Sequence, residues 1–264
     1  MRNELLSDEL SLVENRLYNL FQADNSVLAE IDKFLKAPSK RIRSRFALLY
    51  LKANGVNVSD DIISVLTAGE LIHNASLIHD DFVDSADLRR NDTTFHKKFN
   101  PRIAVLAGDF LLSLAGEVLI SINNRYIDEK FYSVAKAMAE AEIEQQILSN
   151  SQPDKDAYLS ICNGKTAKLF SVLVESCALL SNIDTVKAAK IGELFGMIFQ
   201  FKNDIEPSSA EIDKQNGIFT AIDIFGIEKT NALIDNYKEE ILGLITDFPN
   251  DMYRRELEEL IRGL

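Results

Sequence analysis

Apolar residues recur at three- and four-residue steps along almost the whole chain, and nothing else in the sequence constrains the fold as strongly. Leu6, Leu10, Val13, Leu17 and Leu20 form one such stripe, the face an amphipathic helix buries. Further helices are predicted over 27–35, 41–53, 60–82, 101–124, 128–148, 153–180, 185–205, 229–248 and 251–261. The breaks fall at Pro38, Asn54-Gly55, Pro153 and Pro207, where punctuating residues end helices. Ser59 before two aspartates, and Ser151 before Pro153, are predicted helix starts. The chain has only 11 Gly and 5 Pro in 264 residues, against a usual combined share of about 12 %. That scarcity excludes a turn-rich sandwich or barrel. No period-two strand pattern is sustained, and no repeat or compositional shift marks a linker. The expectation is an all-α, single-domain helical bundle over residues 1–264.

Charge narrows the function. With 29 Lys+Arg against 41 Asp+Glu, the net charge is −12, the wrong sign for a nucleic-acid partner. A membrane span is not expected, because the most apolar stretches, 103–122 and 169–180, are interrupted by Asp109, Glu117 and Glu175. The start, MRNELLSDEL, is charged where a signal peptide needs an apolar core, so the expected compartment is the cytoplasm. Cys162 and Cys177 fit no metal or redox spacing and are read as buried reduced thiols.

The densest chemistry lies in LIHNASLIHDDFVDSADLRR. His73, Ser76, Asp80, Asp84 and Asp87 step by three or four and share one helix face, with Asp81 adding a third carboxylate. Asp80 and Asp84 repel by about 0.3 kcal/mol if left alone. Their flanks, from Ala68 to Val83, are apolar, which places the acids in a cleft that needs a counter-ion. Mg²⁺ suits the pattern: it takes one or two carboxylates and completes its shell with water and phosphate oxygens. The same spacing also fits a solvated acidic helix end followed by Arg89 and Arg90. Cations stand nearby in sequence: Lys40, Arg41, Arg43 and Arg45 open one helix, and Lys165-Thr166 sits inside an apolar one. A lysine there needs an anionic partner, either an acidic helix or a phosphate. Together these suggest a metal-bridged diphosphate site, and without a Gly-rich loop it is not a P-loop site.

At these residues the sequence resembles the trans-isoprenyl (polyprenyl) diphosphate synthases. Their first aspartate motif, D-D-x-x-D, is matched by Asp80-Asp81-Phe82-Val83-Asp84, with His73 seven residues upstream and Arg89-Arg90 downstream. Thr94, His96, Phe99 and the run Ala104 to Leu112 continue the likeness. Glu140-Ala141-Glu142 with Gln145, Lys165-Thr166 and Phe199-Gln200 follow in order, and Lys40 and Arg43 match a G-G-K-x-x-R element whose glycines are absent. The second aspartate motif departs: it reads Asn203-Asp204-Ile205-Glu206-Pro207, and Ile218 stands at a downstream lysine position. Glu206 or Glu211 could replace the missing carboxylate.

The resemblance implies an isoprenoid-synthase bundle with a central apolar cavity, Mg²⁺ dependence and a homodimer. It implies that Asp80 and Asp84, with Asp204 and Asn203 on a facing helix, hold magnesium ions on an allylic diphosphate. Arg89, Lys165 and Gln200 would stabilise the departing diphosphate, with Thr166 beside Lys165. Lys40, Arg43, His73 and Arg90 would grip isopentenyl diphosphate, whose double bond attacks the allylic cation. Small residues at Ala75 and Ser76 would leave a tunnel open for a medium- or long-chain product. The degenerate second motif admits two other readings. One is a weakened diphosphate-binding subunit of a hetero-oligomer. The other is a class I terpene cyclase with Asn203, Asp204 and Glu211 as a partial N-D-x-x-S-x-x-x-E motif.

Overall fold

The computed structural model describes residues 5–207 and 213–264; Glu211 lies outside the described residues. The all-α expectation is borne out, and the chain divides into two compact units, Met1–Leu48 with Val58–Asp128 and Leu49–Asn57 with Glu129–Leu264.

The first unit holds α1 (Ser7–Tyr18), α2 (Ser26–Lys36), the start of α3 (Ile42–Ala53), α4 (Asp60–Val83), α5 (Phe95–Lys98) and α6 (Pro101–Ser121). A hairpin of β1 (Leu88–Arg89) and β2 (Asp92–Thr93) follows α4. Helix α4 is its axis: every residue from Ile62 to Ile72 is buried, as in a helix covered on all sides. Ser59 caps it, its hydroxyl accepting the Ile62 N–H, as the sequence predicts. Helices α1 and α6 lie along it. Gly108 on α6 lets the His79 ring lie against the backbone, where Nε2 is 3.1 Å from the Val105 carbonyl. A methyl at Gly108 would sit 2.1 Å from that nitrogen. By length and composition α6 could cross a membrane, although it carries Asp109 and Glu117.

The predicted acidic face is shorter than its spacing suggests. Helix α4 ends at Val83, with Asp84 as its C-cap and Ser85 in the left-handed region at φ 54°. Asp87 therefore lies beyond the helix, where its carbonyl accepts the Thr94 N–H and its carboxylate pairs with Lys97 at 2.8 Å. The hairpin then turns through Arg90 (φ 51°) and Asn91 (φ 64°), the two-residue turn that matches strand twist. Asn tolerates this conformation; for Arg90 it costs roughly 1 kcal/mol. Strands two residues long carry no period for sequence reading to find.

The second unit contains α7 (Arg125–Ile147) from Glu129 onward, α8 (Lys155–Cys162), a π-helical turn (Asn163–Ala167), α9 (Lys168–Leu180), α10 (Thr185–Ile205), α11 (Ala221–Phe225), α12 (Ile227–Leu244) and α13 (Asp251–Gly263). The single helix predicted over 153–180 is thus three segments. Its cap is Asp154, whose carboxylate accepts the Ala157 N–H at 2.8 Å, and not Ser151, because the acceptor must sit directly before the first turn. Within this unit α10 packs most closely on α9. A Cβ at Gly192 would lie 2.7 Å from the Phe170 carbonyl, and one at Gly196 2.4 Å from Ala167 Cα. The two glycines, one turn apart, let backbone meet backbone and bring Gln200 against the π turn.

Candidate functional site

In the first unit, the end of α4, the hairpin and the start of α3 gather charged residues. Arg41 precedes α3 with φ 45°. Its buried guanidinium donates to the Leu35 carbonyl at 2.7 Å and reaches Glu70 Oε2 at 3.3 Å, with Glu14 and Tyr18 also in reach. Ser44 donates to the other Glu70 oxygen at 2.7 Å. Glu70 has no place in the expected site, yet it is the buried anion on which this corner is built. Its signal was a lone carboxylate within the apolar run Ile62–Ile72. Although burial opposes it, the anions and phenol around Arg41 raise its pKa.

Arg43 is buried, and burial lowers its pKa to about 10 against the pull of Glu70. His73 is held well below its ordinary value by burial and then by Arg43, Arg90, Arg89 and Arg41. At neutral pH it is an uncharged imidazole inside a cluster of guanidiniums, a setting that favours an anion. Burial and the neighbouring Arg41 and Arg89 also lower Arg90, whose guanidinium lies 5.4 Å from the Phe34 ring centre. Lys40 is exposed on the loop before α3.

The three carboxylates at the end of α4 have separate fates. Asp81 is buried and binds Arg89 Nε at 2.5 Å; burial outweighs this partner and raises its pKa. The pair fastens the hairpin to the helix, so Asp81 is committed to structure. It lines a cleft of about 510 Å³ with Arg89, Arg90, Phe34, Pro38 and Thr93. Asp80 and Asp84 stay partly exposed, one turn apart at the negative end of the helix dipole. Among the described residues no group of three or more His, Cys, Asp or Glu forms a metal cage. Two hard oxygen donors on a helix end nonetheless fit Mg²⁺, which fills most of its octahedron with water and phosphate.

In the second unit the structure brings together Lys165, Thr166, Gln200 and Asp204. Lys165 Nζ lies 2.6 Å from Glu142 Oε2 on α7, the anionic partner the sequence demanded. Gly164 makes the approach possible, since its absent Cβ would lie 2.9 Å from Ala141 Cβ. Thr166 donates to Gln200 Oε1 at 2.6 Å, and Gln200 Nε2 donates to Asp204 Oδ1 at 2.7 Å. Asp204 Oδ2 accepts from the Tyr158 hydroxyl and, at 2.8 Å, from the Ala221 N–H. Asn203 is exposed. Asp204 is 4 % exposed, and its pKa is raised because burial outweighs those three bonds and Lys165. Tyr158 was missed by sequence reasoning; a tyrosine in an amphipathic helix carries no signal of its own.

A "Prenyl transferase" of Cyanidium caldarium is 31 % identical over 89 % of this chain and 78 % of its own length. "Solanesyl-diphosphate synthase 2, chloroplastic" of Oryza sativa subsp. japonica is 30 % identical over 92 % of this chain; the match spans 66 % of the rice protein. The crystal structure of heptaprenyl diphosphate synthase from Staphylococcus aureus superposes with a TM-score of 0.87 at 25 % identity, covering 97 % of this chain and 96 % of that one. The fold is that of the isoprenoid synthases. Residues 25–242 match the polyprenyl synthetase family model, and the chain belongs to that family.

Proposed function

We propose that the chain is a trans-prenyltransferase that condenses isopentenyl diphosphate with an allylic prenyl diphosphate, giving a medium- or long-chain product. The observation that carries the reading is the pair Asp80 and Asp84 at the end of α4, in the same unit as the cationic set Arg43, His73 and Arg90. Asp80 and Asp84 hold Mg²⁺ with the allylic diphosphate, and Arg89 braces that helix end through Asp81. Magnesium, when bound, neutralises the charge that develops on the leaving diphosphate. Arg43, Arg90 and neutral His73, with Lys40, bind the diphosphate of isopentenyl diphosphate. Lys165 and Gln200 belong to the leaving-group side. The double bond of isopentenyl diphosphate attacks the allylic carbon, and the departed diphosphate takes the proton. Ser76, half-buried with its hydroxyl turned back 2.9 Å to the His73 carbonyl, leaves room beside α4 for the growing chain.

The protein is further read as a homodimer, supported by exposed apolar side chains on α6 (Val105, Leu106, Ile120) and α7 (Tyr132, Ile143, Ile147). The compartment is read as the cytoplasm, supported by Cys162 and Cys177 as buried free thiols.

The test is incubation of the purified chain with Mg²⁺, isopentenyl diphosphate and geranyl or farnesyl diphosphate. Longer prenyl diphosphates are expected, and Asp80→Asn abolishes them. Elongation only after a second polypeptide is added would replace this reading with that of a subunit. Hydrocarbon formed without isopentenyl diphosphate would replace it with that of a cyclase.

A further inference from the structure

We infer that Asp204 is the fixed acceptor of a hydrogen-bond relay set by Tyr158, and not a magnesium ligand; the inference rests on the prenyl-transfer reading above. The carboxylate is nearly sealed from solvent, at 4 % exposure. Tyr158 O–H and Ala221 N–H converge on Oδ2, and Gln200 Nε2–H points at Oδ1. These donors place positively polarised hydrogens where a cation would have to sit. Magnesium also keeps a tight octahedral shell with several waters and sheds them reluctantly, and a buried oxygen flanked by donors offers no room for that shell. The donor set therefore does not fit the ion at Asp204, although the residue lies within the second aspartate motif. Asp80 and Asp84 keep the exposure and the donor chemistry that magnesium requires.

The same bonds give Asp204 another task. A carboxylate only accepts, so Gln200 must turn its amide nitrogen toward Asp204 and its carbonyl toward Thr166, which donates to it at 2.6 Å. Fixing Asp204 thus fixes the orientation of Gln200 and of the Thr166 hydroxyl beside Lys165. Tyr158 is the element that holds Asp204. Its ring stacks 6.3 Å from Phe201 and meets the edge of Phe225 at 5.7 Å, and Phe201 stacks in turn on Tyr237 at 6.1 Å. Three aromatic rings hold the phenol in place, Phe201 and Phe225 directly and Tyr237 through Phe201, and its hydroxyl is aimed at Asp204. Tyr158 is a positioning residue: it acts through Asp204 and Gln200.

The experiment titrates Mg²⁺ with inorganic pyrophosphate as the probe, by calorimetry, into full-length wild type, Asp80→Asn, Asp204→Asn and Tyr158→Phe, with elongation kinetics run in parallel. Tyr158→Phe keeps the packed ring and deletes one donor, so it stays informative even if Asp204→Asn folds poorly. The relay predicts that Asp80→Asn weakens magnesium-dependent binding by about tenfold or more, whereas Asp204→Asn and Tyr158→Phe stay within about threefold of wild type. It also predicts that Tyr158→Phe lowers kcat by about tenfold while the magnesium half-saturation is unchanged. A rise in the magnesium constant of Asp204→Asn or Tyr158→Phe as large as that of Asp80→Asn, in a wild type that elongates, would overturn the inference alone. So would an unaltered kcat in Tyr158→Phe. A wild type that neither elongates nor binds magnesium pyrophosphate would overturn both the inference and the reading beneath it.

Discussion

Adding one methyl group at Gly196 should damage both stability and turnover, and the size of the effect follows from the helix contact. A Cβ there would sit 2.4 Å from Ala167 Cα, 3.0 Å from Ala167 Cβ and 3.1 Å from Phe170 Cδ2. Two of these atoms belong to a residue of the neighbouring backbone, so no side-chain rotation relieves the clash and the helices must part. Overpacking of this kind costs up to about 3 kcal/mol, partly offset by about 1 kcal/mol of helix propensity gained on replacing Gly by Ala. The net loss for Gly196→Ala is about 2 kcal/mol, or roughly 4–8 °C in melting midpoint for a chain of this size. Gly243 supplies the control, since a Cβ there meets nothing within 4 Å and Gly243→Ala should gain up to about 1 kcal/mol. The two variants add the same methyl to helices, so their difference isolates the contact of α10 with the π turn and the start of α9. Parting those helices also stretches the 2.6 Å bond from Thr166 to Gln200, so prenyl elongation by Gly196→Ala should fall as its melting point falls. Circular dichroism melts and product assays on both variants decide the matter. A Gly196→Ala protein that melts and turns over like wild type would refute the close backbone packing.

Three further outcomes are expected. His73 has a depressed pKa in the folded protein, so below about pH 6.5 the unfolded chain binds a proton that the native one refuses. Its contribution to stability is present above that pH and is lost on acidification, at up to about 1.4 kcal/mol per pH unit; His73→Gln should flatten denaturation midpoints measured from pH 6.5 to 5.5, and an unchanged slope counts against the neutral imidazole. Glu70→Gln leaves the buried Arg41 guanidinium without its buried anion and should cost about 3 kcal/mol in urea unfolding, whereas a loss below about 0.5 kcal/mol, as at an exposed pair, would contradict the clamp. Ser76→Phe should shift chromatographed products to shorter chains; Ala75, at 0 % exposure, must displace neighbours to accept Phe, so Ala75→Phe should shorten products only with a loss of stability.

Helical periodicity made most of the fold legible, because burial of one face at 3.6-residue spacing is what both the stripes and the helices express. It located α4 and its Ser59 cap, and it put Asp80 and Asp84 one turn apart. It failed where local geometry overrode the period. Asp87 kept the helical step but lies past Ser85, whose left-handed conformation ends the helix. The π turn hid inside 153–180 because one extra residue hardly disturbs an apolar stripe. Sequence reading brought Asp81 and Asp204 into the acidic clusters by motif position. Their burial and committed partners, Arg89 for one and Tyr158 and Ala221 for the other, depend on residues 8 to 46 positions away. Such pairings come from tertiary packing and leave no local trace.

The widened turn at Asn163–Ala167 has a consequence for how this chain can change. Each residue advances an ordinary helix by about 100°, and the broadened loop absorbs one residue without advancing α9. Deleting any one of these five positions would restore the common winding and swing either the ammonium group away from Glu142 or the neighbouring hydroxyl away from Gln200. A chain shortened here cannot keep both contacts at once, so this stretch should not tolerate a missing letter.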